Sequence, residues 1–134
     1  EPAADPRAVG PGRKGRTIAV DFVGVLHSYV SGWSGPTAID DPPVEGALAW
    51  LAEAVERFDV AIVSVRNAYP GAIAAMRGWL REHGLPEATL QRIRFPVHKP
   101  PAELYLDDRA WRFDGRFPRF EEIGQLVPWT KGRA

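Results

Sequence analysis

Five residues of this chain have side chains able to do chemistry together. Asp21 lies near the end of the apolar run Thr17-Ile18-Ala19-Val20-Asp21-Phe22, and Ser64 ends Val60-Ala61-Ile62-Val63-Ser64. Lys99 sits in the loop Pro96-Val97-His98-Lys99-Pro100-Pro101, and Asp107-Asp108 follow Leu104-Tyr105-Leu106. Carboxylates with few other ligands suit Mg²⁺, a hard cation that prefers oxygen and keeps several waters. A carboxylate held beside such a cation can attack phosphorus, while an ammonium and a hydroxyl hold the transferred oxygens. Each residue also has an ordinary reading. A serine closing a strand is common turn chemistry, a lysine between prolines is a solvated loop residue, and paired acids can simply start a turn. Their convergence is what favours function.

The elements around them predict that convergence. Residues 17–22 read as a buried central strand, followed by a long loop, Val23 to Pro43, rich in Gly and Pro. A helix is expected next, capped by Asp41, with Val44, Ala47, Leu48, Leu51, Val55 and Phe58 as its apolar stripe. A strand over 60–64 leads to a second helix from about Pro70 to His83, stopped by Gly84, with Ile73, Met76 and Leu80 inside. Ile93-Arg94-Phe95 reads as a third strand and residues 104–106 as a fourth, and a helical turn is expected near Phe120 to Leu126. Apolar strands alternating with amphipathic helices imply a mainly parallel sheet with helices on both faces. Ligands of such sheets bind beyond the carboxyl ends of the strands, where all the candidate residues fall.

The totals narrow the possibilities. The chain has 134 residues, room for one domain, so residues 17–134 are read as a single domain preceded by a loose arm over 1–16. Hydrophobic residues make up 45% and charged residues 25%, an ordinary globular balance. Lys plus Arg and Asp plus Glu are 17 each, which argues against a broad nucleic-acid or anionic-membrane surface but not against a local basic site. There is no cysteine, so disulfides, zinc thiolates and cysteine nucleophiles are excluded. No apolar run is long enough to cross a bilayer, and a cytoplasmic protein is expected. The sequence leaves the oligomeric state open.

These stretches resemble the haloacid dehalogenase superfamily. Asp21-Phe22-Val23-Gly24-Val25-Leu26 is similar to its first motif, Asp-x-Asp-Gly-(Thr/Val)-(Leu/Ile), and Val60 to Ser64 to its second. Lys99 matches the third, and Leu104-Tyr105-Leu106-Asp107-Asp108 the fourth. The resemblance spans about Thr17 to Arg109, and the stretch from Leu26 to Trp33 is similar to small capless members of bacteria and phages. It implies a Rossmann-like three-layer α/β sandwich without a large cap, and a Mg²⁺-dependent hydrolase acting on a small-molecule or polymer-end phosphate. Asp21 would be nucleophile and metal ligand, the Val23 carbonyl a second ligand, and Asp107 or Asp108 a third. Ser64 would hydrogen-bond phosphoryl oxygens, Lys99 would pair with Asp21 and the phosphate, and Gly24 would let the backbone approach the phosphate.

One position departs from that pattern. Phosphatases of the family carry a second Asp where this chain has Val23. That acid protonates the leaving group and then activates water, a contribution of about 10²–10⁴-fold. Phosphate binding is expected to survive, and fast turnover is not. A non-catalytic phosphate- and metal-binding module on the same fold is therefore the competing expectation. Four loop residues could meet substrate: Arg66, two positions after Ser64; His27, a possible replacement acid; and Tyr29 and Trp33, able to stack on a base or sugar or to form a hydrophobic cover. Trp50 and Trp79 are expected to pack, and Trp111 and Trp129 carry no prediction.

Overall fold

The computed structural model describes residues 16–126, 128 and 129. The predicted N-terminal arm lies outside the described residues except for Arg16, whose guanidinium pairs with Glu103 at 2.9 Å. Four apolar or β-branched positions in a row, Thr17 to Val20, make a strand buried on both faces, and β1 (Thr17–Asp21) is that strand, buried until its last residue. It runs between β2 (Asp59–Val63) and β3 (Leu104–Leu106), parallel to both. The register aligns Asp21 with Val63 and Val20 with Leu106, so Asp21, Ser64 and Asp107 leave the sheet at the same edge. The molecule is thus a mixed α/β protein built on a small parallel sheet.

The helices follow from their apolar spacing rather than from capping. α1 (Ala47–Arg57) buries Ala47, Leu51, Ala54 and Val55. α2 (Ala72–Glu82) buries Ala72, Met76, Trp79 and Leu80. These side chains join Val20, Phe22, Val60 and Ile62 in one core. Each helix begins after a glycine in the left-handed region, Gly46 and Gly71, with no side-chain cap. The expectation that Asp41 caps the first helix is therefore corrected. Asp41 is buried upstream of it, where its carboxylate accepts from the Ser31 backbone N–H at 2.8 Å and from the Ser31 hydroxyl. α2 closes as read, with Leu85 N–H donating to the Leu80 carbonyl at 3.0 Å and Gly84 at positive φ.

Two further expectations change. Residues 93–95 do not form a strand: only Arg94 bridges, parallel, to Ala61 on the outer side of β2. Arg94 instead reaches Asp59, and a single bridge is what remains when a short segment serves a side-chain contact. Trp50 is 40% exposed rather than packed, whereas Trp79 is buried and donates its indole N–H to the Asp41 carbonyl at 2.8 Å. The described residues also form a short α3 (Glu87–Leu90) and α4 (Phe120–Gln125), and α4 buries none of its residues. Among the described residues no helix is long and apolar enough to cross a membrane.

Candidate functional site

The site begins where β1 ends. A strand buried on both faces must stop when it reaches a carboxylate that needs water, and Asp21 is the first half-buried residue of β1. The chain then turns at once: the Phe22 carbonyl accepts from the N–H groups of Leu26 and His27, and Gly24 N–H donates to the His27 carbonyl at 2.8 Å. Gly24 sits at φ +80°, and a Cβ there would lie 2.9 Å from Asp108 Cγ. Glycine is required twice over, by its backbone angle and by the Asp108 carboxylate pressed against it. The close approach expected of Gly24 is thus to a side chain of the site, and its carbonyl accepts from the Trp129 indole.

Asp21, Asp107 and Asp108 each place a carboxylate oxygen within 4.8 Å of those of the other two. No Lys, Arg or His nitrogen makes an ion pair with any of them among the described residues. Burial, and then the Asp107 charge, push the Asp21 carboxyl up to about 7, although the Phe22 N–H donates to its Oδ1 at 2.8 Å. Burial, joined by the Asp107 charge, also holds Asp108 above the ordinary carboxylate range. Asp108 Oδ1 is buried with no hydrogen-bond partner. Three crowded acids, one with a buried and unused lone-pair set, form a donor set suited to a hard divalent cation. Asp107 Oδ1 already accepts from the Arg109 N–H at 2.7 Å, which ties it into the turn.

A pocket of about 430 Å³ opens over these acids, lined also by Val23, Tyr29, Trp33, Ser64 and Arg109. Tyr29 is held at φ +59°, a strained angle for a side-chain-bearing residue, and with Trp33 it forms one wall. Val23 puts an apolar surface beside the nucleophile candidate. Ser64 lines the pocket and is also a cap: its Oγ accepts from the Arg66 N–H at 3.1 Å and starts a 3₁₀ turn over Val65–Ala68.

That turn directs Arg66 and Asn67 inward, so Arg66 does not meet the pocket as expected. Its side chain is fully buried, and Nη1 donates to the carbonyls of Gly35 and Pro36, both at 2.9 Å, with Trp33 stacked 4.6 Å from the guanidinium carbon. Its role is to hold the loop that carries Trp33. His27 is likewise withdrawn. It is buried against Phe22 and Trp79, and its Nε2 accepts from the Asp41 N–H at 3.3 Å. Burial, with the Arg66 charge in support, lowers its pKa, so it is neutral at pH 7 and out of reach as a replacement acid. Lys99 lies in an adjoining groove with its Nζ 4.5 Å from the Tyr105 ring centroid, and it makes no ion pair with Asp21.

Sequence reasoning missed two residues. Asn67 donates to the carbonyls of Ile62 and Pro96 at 2.9 and 2.8 Å, fastening the Lys99 loop to the end of β2. A buried amide beside a strand end was its only signal. Arg109 is the cation on the pocket rim, and its charge slightly opposes the upward shift of Asp21. Its position directly after two acids was visible in the sequence. Comparison of the chain with protein-family models, curated proteins and solved structures finds no match.

Proposed function

We propose that this site performs Mg²⁺-dependent phosphoryl chemistry, with Asp21 as nucleophile on a phosphate ester, in a Rossmann-like capless fold of haloacid dehalogenase type. The observation that carries the proposal is the cluster of Asp21, Asp107 and Asp108 at the carboxyl edge of a parallel sheet, unpaired with any cation among the described residues. The three acids, with the Val23 carbonyl, would hold the metal, which when bound supplies positive charge against a phosphate dianion. Asp21 attacks phosphorus as the ester oxygen departs, giving an acyl phosphate that water then cleaves to free phosphate and the restored carboxylate. Ser64 and the Arg109 rim receive the phosphoryl oxygens, and Lys99 reaches them by leaving the Tyr105 face. The open pocket admits either a small ester or the phosphorylated end of a polymer.

Val23 favours a second reading, a site that binds metal and phosphate without turnover, because it supplies no proton to a leaving oxygen. Hydrolysis of nitrophenyl phosphate, whose leaving group departs as a stable anion, decides between them. Slow Mg²⁺-dependent turnover that disappears in Asp21→Ala is the expected result. Binding of Mg²⁺ and phosphate with no turnover above background would leave the binding module.

A further inference from the structure

A second depression, a groove of about 970 Å³, opens onto the same acids, and Asp21, Ser64, Val65, Asp107 and Ala110 line both spaces. Its outer walls are the loop bearing Val97, His98 and Lys99 and the segment Trp111–Phe113. Each wall presents an aromatic or apolar surface with a cation beside it. Phe113 is 55% exposed and Trp111 is partly exposed. Lys99 lies over Tyr105, whose hydroxyl donates to the Pro100 carbonyl and so fixes the ring. Lys99 and Arg112 pair with no carboxylate among the described residues. Glu103, the groove's one acid outside the site cluster, is already held by Arg16 at 2.9 Å.

We propose that this groove receives the nucleoside part of a nucleotide whose phosphate lies at Asp21. The assignment rests on the phosphate reading of the site. Its volume falls within the range of small-ligand pockets, about 300–1,000 Å³. Arg116 lies over Trp111 and Phe117 packs against Phe113, and the ring surface left exposed, with Lys99 and Arg112 lining the same groove, is what a planar base on an anionic backbone requires: the rings stack and the cations follow the charge. A short aliphatic leaving group would use the cations and leave the ring faces wet. The balanced net charge argues against a long nucleic-acid track and favours one nucleotide or the last residues of a single strand.

Calorimetric titration of the full chain in Mg²⁺ with inorganic phosphate, ribose 5-phosphate, AMP and a phosphorylated dinucleotide tests this. AMP is expected to bind about 10-fold tighter than ribose 5-phosphate, the ordinary worth of one stacked base. The Trp111→Ala/Phe113→Ala double variant, altered only at partly or largely exposed positions, is expected to erase that preference and leave ribose 5-phosphate binding unchanged. A dinucleotide that binds tighter still identifies a strand end, and one equal to AMP identifies a free nucleotide. Equal affinities for AMP and ribose 5-phosphate, or a preference that survives in the double variant, would overturn the groove assignment alone. Failure of inorganic phosphate to bind would instead overturn the phosphate reading on which it rests.

Discussion

The two ends of the small sheet treat buried acid in opposite ways. At the amino end, Asp59 is buried to 1% exposure, and its carboxylate accepts from the Thr17 hydroxyl at 3.2 Å and from Arg94 at 2.8 Å. At the carboxyl end, three carboxylates crowd together with no paired cation among the described residues, and Asp21 is pushed up to about 7. Both arrangements are open to a parallel sheet, whose strand ends are where polar groups can leave the core. The difference is one of use. A satisfied acid ties strands together, whereas unsatisfied acids leave a demand that a ligand can meet.

The largest effect is expected from breaking the satisfied end. Arg94→Met takes the guanidinium away from the buried Asp59 carboxylate and should cost about 3 kcal/mol of stability, read as a lower urea midpoint. If the midpoint hardly moves, the amino end is not the stabilising one and the contrast collapses.

The next effect concerns the apolar wall beside Asp21. Val23→Asp should raise phosphatase activity about 10²-fold, more for alkyl phosphates than for nitrophenyl phosphate, because an alkoxide needs a proton to leave. A variant that folds and binds Mg²⁺ yet turns over neither ester would end the hydrolase reading.

The smallest effect sharpens the comparison from the other side. Without metal, the raised pKa of Asp21 means that the folded protein keeps a proton which the unfolded chain releases near 3.8. This contribution to stability is fully present below 3.8 and is lost as pH rises through about 7. Metal-free Tm should therefore fall between pH 5 and pH 8, and Mg²⁺ should restore it at the upper end. Asp21→Asn should flatten that slope, raise the metal-free Tm at pH 8 by about 3–6 °C and abolish the response to Mg²⁺. A Tm profile identical in the two proteins would show that the acids do not strain the fold.

What the sequence disclosed follows from the same contrast. Continuous apolar runs announce parallel strands, although β3 is left largely exposed, and acids directly after them announce the carboxyl edge, so the meeting of Asp21, Ser64 and Asp107-Asp108 could be read without coordinates. Side-chain direction a few residues beyond a strand could not. Arg66 and His27 had suitable chemistry and the right neighbourhood. A 3₁₀ turn begun by the Ser64 hydroxyl rotates Arg66 inward, and the stack of Phe22 and Trp79 draws His27 into the core. Asp41 stood near a helix start, but Ser31, distant in sequence, offered its carboxylate two donors. Such long-range contacts leave no local periodicity to read.

Arg66 grips main-chain oxygens of residues 35, 36 and 38 rather than their side chains. The shape of that segment is therefore specified by a residue outside it, and the identities of Thr37 and Ala38 contribute little to holding it. Substitutions there should leave the loop, and the Trp33 that lines the pocket, in place. The wall bearing Trp33 is a place where this scaffold can vary its selectivity across descendants, or under a designer's hand, while the acids beneath it stay in position.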